Sequence, residues 1–305
     1  MMKKKCLIIG AAMLDIIMDI DRLPKSGEDI YAKSQSMTVG GCAYNVADIL
    51  KHFGVDHTFF APVGTGMYAD FVEKELEKNG HTSVIKSDDM DNGYCLCMVE
   101  ADGERTFLTL PGIECRFEKE WFERLDAEEY DSVYVSGYEL EGDGGDVILD
   151  YLEAHPELTV YYAPGPRITY ISKEKRERMT ALHPIMHLNE MEALTFTGEE
   201  KVSEAAKVLE DTTKNTVIVT LGDKGVYLME NGQGKVIASD KAEVVDTIGA
   251  GDSHIGAVMS MRALGADFEK AVQTANRVSA MVVGVKGPTL TTEEFEKGNL
   301  RNGEN

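Results

Sequence analysis

Apolar positions recur along the chain with two spacings that take turns. Short, nearly continuous apolar runs occur at Cys6–Ile9, Thr58–Val63, Ser132–Ser136, Thr159–Tyr162, Ile185–Leu188 and Val217–Leu221. They have the length and composition of buried strands. Between them, apolar residues three and four apart predict helices over Ala43–Phe53, Tyr68–Asn79, Asp146–His155, Ser172–Leu182, Glu190–Thr197, Ser203–Thr212, Ala250–Leu264 and Asp267–Val283. Gly54 and Gly80 stand where the first two helices stop. Strands and helices alternating over this length predict an α/β fold with a mostly parallel sheet covered on both faces. Ligands of such sheets bind outside the carboxyl ends of the strands.

Residues 16–37 and 94–110 break the alternation and read as short strands. Gly93–Glu100, a turn over Ala101–Glu104, and Arg105–Leu110 make a hairpin pattern. Its first strand is apolar on both faces, with Cys95, Cys97 and Val99 on one and Tyr94, Leu96 and Met98 on the other. A small antiparallel sheet on a large α/β body predicts a lid. A lid over a ligand needs one apolar face only, so the other must be hidden. The simplest cover is the same sheet of a second copy, and a homodimer through the lid is expected. No repeat, low-complexity tract or linker divides residues 1–305, so one domain is expected; only Lys297–Asn305 looks loose.

The chain carries 53 acidic against 31 basic side chains, a net charge of −22. That surface argues against nucleic acid or an anionic membrane as partner. A small anionic ligand can still bind where local amides and cations allow it. No stretch reaches the roughly 20 apolar residues of a membrane span. The basic start Met1–Lys5 imitates a signal peptide, but its apolar run is short and Asp15 and Asp19 interrupt any extension. The five cysteines, Cys6, Cys42, Cys95, Cys97 and Cys115, are odd in number and lack a C-x-x-C pair. They read as small buried hydrophobes in a reducing, cytoplasmic protein, not as a disulfide framework or zinc site.

The chemistry concentrates at Asp246-Thr-Ile-Gly249-Ala-Gly251-Asp252. A β-branched run, Glu243–Val245, leads in like a strand, and the helix pattern from Ala250 leads out. Free amides and aligned dipoles at a helix N-terminus favour negative charge, and small residues let an anion approach the backbone. A carboxylate in that first turn, Asp252, stands where a base must be if a hydroxyl is to attack a phosphoryl group. His254, two positions on, is predicted to point away and is given no role. Val63-Gly64-Thr-Gly66-Met-Tyr-Ala69 imitates a dinucleotide fingerprint, with Asp88 as the distant acid. It supports a rival reading, an NAD-dependent oxidoreductase, although it is not on the first strand. No G-x-x-x-x-G-K-[ST] pattern occurs, which excludes a P-loop kinase.

Asp246–Ser253 resembles the C-terminal signature of the PfkB (ribokinase-like) sugar and nucleoside kinases. Val39-Gly40-Gly41-Cys-Ala-Tyr-Asn45-Val-Ala47 resembles their N-terminal Gly-Gly motif, and the resemblance spans nearly the whole chain. It implies a ribokinase-like three-layer α/β/α sandwich with a small β lid. The implied reaction moves the ATP γ-phosphoryl group to a hydroxyl, with Asp252 as base and the Gly249, Ala250 and Gly251 amides around the transferring charge. Asp15, Gly40, Gly41 and Asn45 match substrate positions. Arg105, Tyr138, Glu139 and Arg167 are further candidates near substrate. Asn189, Glu192, Thr220, Gly222, Gly225 and Asn276 match nucleotide positions, with Mg²⁺ near Glu192 through water. Asp246 and the carbonyl of Ile248 match a monovalent-cation site, which implies K⁺. Such lids often pair between subunits. Met13 and Ala163 depart from ribokinase and fructokinase patterns, so fructose-like sugars, ribose, deoxy acids and nucleosides such as pseudouridine or adenosine all stay open. A member that has lost catalysis and only senses ligand is disfavoured by the intact Asp252 and glycines.

Overall fold

A computed structural model describes residues 4–142 and 144–300. An eight-stranded sheet forms its centre, in the spatial order Gln233–Ile237, Val226–Glu230, Val217–Thr220, Ile185–Asn189, Thr159–Ala163, Tyr130–Ser136, Lys5–Ile9 and His57–Phe60. The first two pairings are antiparallel, and every later one is parallel. Alternation along the strands sorts their side chains into two cores. Cys6, Ile8, Tyr134 and Tyr161 face helices Cys42–Phe53, Ala250–Ala263 and Phe268–Val282. Leu7, Ile9, Val133, Val160 and Tyr162 face Gly144–Ala154, Lys173–Ala181 and Val202–Thr213. The strand apolar on both faces is thus the one covered on both faces; Leu7, Ile8 and Ile9 are fully buried, each contributing about 1.5–3 kcal/mol.

The lid is a four-stranded sheet in the order Ser34–Gly40, Met13–Asp19, Tyr94–Val99, Arg105–Leu110. Its outer pairings are antiparallel, but the central pairing of Met13–Asp19 with Tyr94–Val99 is parallel. The first part of the lid begins at Met13 and ends at Gly40, wider than the predicted 16–37. Asp15 therefore lies on a lid strand, not on a loop past the first strand. Pairing places Asp15, Cys95, Cys97, Phe107 and Arg105 on one face. Ile16, Met37, Leu96, Met98 and Leu108 occupy the other.

Other expectations need correction. The run Thr58–Val63 splits: His57–Phe60 joins the main sheet, while Pro62–Val63 pairs with Ile85–Lys86 in a separate ribbon. Glu243–Val245 is not a strand; Val244 and Val245 are exposed, and Val245 and Asp246 donate backbone bonds to the Val283 carbonyl instead. The chain end is not loose as far as it is described, because Thr292–Lys297 is a helix with a capping box and Leu300 is buried. Residues 301–305 of that expected tail, and residues 1–3 of the basic start, lie outside the described residues. Among the described residues, no helix is long and apolar enough to cross a membrane.

Candidate active site

Helix Ala250–Ala263 begins at the carboxyl-end side of the sheet, and its N-cap Gly249 is left-handed at φ 72°. A side chain there would also strike the Pro288 carbonyl, so both conformation and space require glycine. Ser253 is the first amide to reach back four residues, to the Gly249 carbonyl at 2.8 Å. The amides of Gly249, Gly251 and Asp252 have no acceptor among the described residues. A Cβ at Gly251 would meet nothing, so the space before these donors is open. Free amides at a helix start are suited to meet an anion.

Asp252 projects from the first turn. Asn45 Nδ2 donates to its Oδ2 at 2.8 Å. Burial pushes the Asp252 carboxyl above its ordinary range, and the bonds from Asn45 and the Cys42 thiol pull it partly back. A desolvated, oriented carboxylate is a better proton acceptor than a solvated one. Asn45 sits one turn into helix Cys42–Phe53, whose N-cap Gly41 has φ 113°. A Cβ at Gly41 would lie 2.5 Å from the Ala11 carbonyl, and one at Gly40 would collide with the Asp15 carboxylate. The two glycines thus let the lid strand close onto the helix that carries Asn45. Asn45 Oδ1 is buried without a partner.

Asp15 accepts no hydrogen bond from the described residues, and burial alone raises its carboxyl to about 7. Glu139, noted in the sequence beside Tyr138, is buried and accepts from Ala11 N at 3.1 Å and Ser136 Oγ at 2.5 Å. Cys42 feels the charges of Asp252, Glu139 and Asp15 together. The three carboxylates therefore gather around Cys42, at the start of that helix.

A cavity of about 690 Å³ adjoins the Gly249–Gly251 turn and is lined by Thr220, Gly222, Gly225, Gly251, His254 and Asn276 among others. That volume suits a nucleotide-sized ligand. His254, given no role from its spacing, lines this cavity. Its Nε2 meets Asn276 Oδ1 at 3.1 Å and its Nδ1 meets His187 Nε2 at 2.9 Å. Burial lowers His254 to about 4 and holds His187 well below its usual value, so the pair is neutral at pH 7. Asn276 Nδ2 holds the carbonyls of Ile237 and Ala238. It fixes the cavity wall, and its amide is spent on the chain's own backbone. Asn189 and Glu192 form a capping box for helix Glu190–Thr197. Burial, then the charge of Asp252, raises Glu192, so the box also faces the site.

Other predicted residues are engaged elsewhere. Arg167 Nε donates to Glu141 at 2.5 Å, and its guanidinium lies 4.2 Å from the Tyr170 ring centre and 5.9 Å from that of Tyr138. The three form a rim cluster in which Arg167 already has its anion. Arg105 Nη1 donates to Asp246 Oδ1 at 2.6 Å. Ile248 enters the Asp246 site through its amide, 2.9 Å from Oδ1.

The dinucleotide-like turn fails as an anion site. Asp91 accepts from Tyr68 N at 3.2 Å and Ala69 N at 2.7 Å, filling the N-terminus of helix Met67–Lys78. Asp91 lies beyond the pattern's reach in sequence, so the motif gave no sign of it.

An oriented carboxylate, open helix-start amides and a nucleotide-sized cavity lie together on a lidded α/β sheet. The profile of the pfkB family carbohydrate kinases matches residues 3–294, and the chain belongs to that family. It is similar to an uncharacterized sugar kinase of Escherichia coli, YegV, at 35% identity over 93% of this chain and 90% of that protein. Its fold is that of an Arabidopsis thaliana ribokinase complexed with ribose and ATP, with TM-score 0.80 and 22% identity, covering 97% of this chain and 99% of the other. An adenosine kinase from Sinorhizobium meliloti has the same fold, with TM-score 0.84 and 21% identity over the same shares, 97% and 99%. The chain is a ribokinase-like sugar or nucleoside kinase, a phosphotransferase acting on an alcohol group.

Proposed function

We propose that the chain transfers the γ-phosphoryl group of ATP to a hydroxyl of a small sugar, with Asp252 as the base. The observation that carries this reading is the Asn45–Asp252 bond beside the unfilled amides of Gly249, Gly251 and Asp252. Asp15 and Glu139 orient the acceptor's hydroxyls, since Asp15 presents two acceptor oxygens with no donor among the described residues on them. Asp252 takes the proton of the hydroxyl that attacks. The cradle amides meet the charge on the transferring oxygens, and little else is asked of the protein in this reaction. The adenine end of the nucleotide lies in the cavity by Asn276, with Thr220, Gly222 and Gly225 along its wall. The similarity to a sugar kinase favours a sugar acceptor; the fold shared with an adenosine kinase keeps nucleosides in the screen.

Glu192 fits an outer role toward Mg²⁺: it is half-buried, faces the charge of Asp252, and keeps acceptor capacity beyond its cap bonds. Bound with the nucleotide, Mg²⁺ supplies neutralisation of phosphate charge. A homodimer through the lid is part of the proposal, because Leu108, Leu110 and Met37 are exposed beside Leu96 and Met98. Light scattering tests it: Leu108→Asp is expected to give a monomer, and a wild-type monomer at micromolar concentration would remove the dimer.

ADP release across pentoses, fructose-like hexoses, deoxy acids and nucleosides tests the function. Turnover with a sugar, abolished in Asp252→Asn, supports it. Preference for a nucleoside moves the assignment to the second acceptor class. No ADP release with any acceptor overturns it.

A further inference from the structure

Asp246 has three donors, one of them a cation. Ile248 N lies 2.9 Å from Oδ1, Gly287 N 3.1 Å from Oδ2, and Arg105 Nη1 2.6 Å from Oδ1. The carboxylate is 5% exposed and the arginine 24%. Burial would raise this carboxyl, yet Arg105 and the two amides hold it below its usual range. The ion pair spans 141 residues of sequence, from the first residue of the lid strand Arg105–Leu110 to the residue that opens the anion turn. Directly behind the turn, Pro288 packs on Gly249, and Gly287 next to it is one of the Asp246 donors.

We infer that Arg105 is a built-in cation of the anion turn, supplied by the lid, and that it takes the place of the inorganic monovalent cation expected at Asp246. A cation behind the turn has one task, to fix Asp246 so that the Gly249–Asp252 amides keep their aim. A guanidinium bonded to Oδ1 does this without an ion from solution. The expected K⁺ does not fit beside it, because the nearest carboxylate oxygen is already covered by a positive charge. Ile248, expected to offer its carbonyl, turns its amide to the same oxygen. The pair also couples the two halves of the site: a lid strand that moves away from the cleft must release Asp246. Arg105 is thus a positioning residue that acts through Asp246, and its role in turnover rests on the kinase reading above.

Thermal unfolding of the full chain needs no substrate and tests the cation directly. Wild type and Arg105→Met are compared in KCl, NaCl and tetramethylammonium chloride at equal ionic strength. Wild type is expected to melt within about 1 °C in all three, whereas Arg105→Met is expected to gain about 2 °C or more in KCl over tetramethylammonium. With an acceptor that turns over, wild-type rates are expected to agree within about two-fold across the salts. Arg105→Met is expected to lose about ten-fold in tetramethylammonium and to recover several-fold in KCl. Specific stabilisation or activation of wild type by potassium overturns the inference. So does an Arg105→Met variant indifferent to the cation. Should no acceptor be phosphorylated, the function proposed above fails while the melting comparison still decides this one.

Discussion

Two glycine turns in this chain look alike on paper and behave oppositely in the fold. Gly64–Ala69 and Gly249–Asp252 each lead into a helix and each carry two glycines and an alanine. At the first, Asp91 bonds the Tyr68 and Ala69 amides, and a side chain at Gly66 would run into that carboxylate. At the second, the Gly249, Gly251 and Asp252 amides are open, and the nearest carboxylate belongs to the turn itself. The first site is a helix already capped by its own chain; the second awaits an anion. What separates them is the occupant of the helix N-terminus, which a glycine pattern does not encode.

The largest expected effect comes from removing the open turn's carboxylate. Asp252→Asn is expected to lower kcat by roughly 10²–10⁴-fold, with nucleotide affinity little changed, because proton removal acts on the chemical step. Steady-state kinetics and calorimetry check the two halves of that statement; near-normal turnover would end the assignment of Asp252 as base.

Next comes the shape of the turn. Gly249→Val forces a β-branched residue into φ 72° against the Pro288 carbonyl. Re-aiming the cradle donors is expected to cost about 10²-fold in kcat. The equivalent change at Gly66, φ 147° against Asp91, is expected to show first as a lower melting temperature. If both variants lose turnover equally at unchanged stability, the two turns are not functionally distinct.

Asp15 sharpens the contrast between a satisfied and an unsatisfied carboxylate. Burial raises Asp15 to about 7. For a carboxyl so raised, the folded protein holds more protons than the unfolded chain between the unfolded value, about 4, and the folded one. Its contribution to stability is therefore full at low pH and falls as pH rises toward 7. Ionised Asp15 is the form that accepts hydroxyl donors, so kcat/KM is expected to rise about ten-fold from pH 6 to 8. A pH profile of Asp15→Asn is expected to lose that inflection; its persistence would assign the titration to another group.

The smallest effect on activity is expected at the filled turn. Asp91→Ala removes two bonds to helix amides, and unfolding is expected to cost about 1–2 kcal/mol less. Turnover with saturating substrate is expected to stay within about two-fold. Denaturant titration and kinetics of the variant test both. A large fall in kcat at intact stability would bring the Gly64 turn into the site after all.

Legibility of the site followed the range over which its determinants act. Asp252 and the Gly249–Gly251 turn were readable because short-range spacing places them at a helix start, whereas Asn45 and the Gly40–Gly41 pair were marked only by the resemblance of their motif. Asn189 and Glu192 were readable as a capping box from short-range spacing too. That His254 lines a cavity was not readable, because the other walls come from residues 239–242 and helix Phe268–Val282, which meet it only in the fold. Arg167 and Arg105 read as free cations near a substrate. Their acids, Glu141 and Asp246, lie 26 and 141 residues away. The β-branched run Glu243–Val245 read as a strand, yet among the described residues it joins no sheet: Val245 bonds the Val283 carbonyl, and Val244 and Val245 stay exposed.

By itself the sequence determined the α/β alternation, the strands buried on both faces, the separate lid and the helix start that carries Asp252. Those follow from local periodicity, backbone sterics and helix-end geometry. Only the tertiary structure decided which glycine turn stays open, which arginines already have partners, and that Asp15, Glu139 and Asp252 gather around Cys42. Such outcomes depend on charges and amides that meet across the fold, where burial sets the strength of each pairing and no spacing along the chain records it.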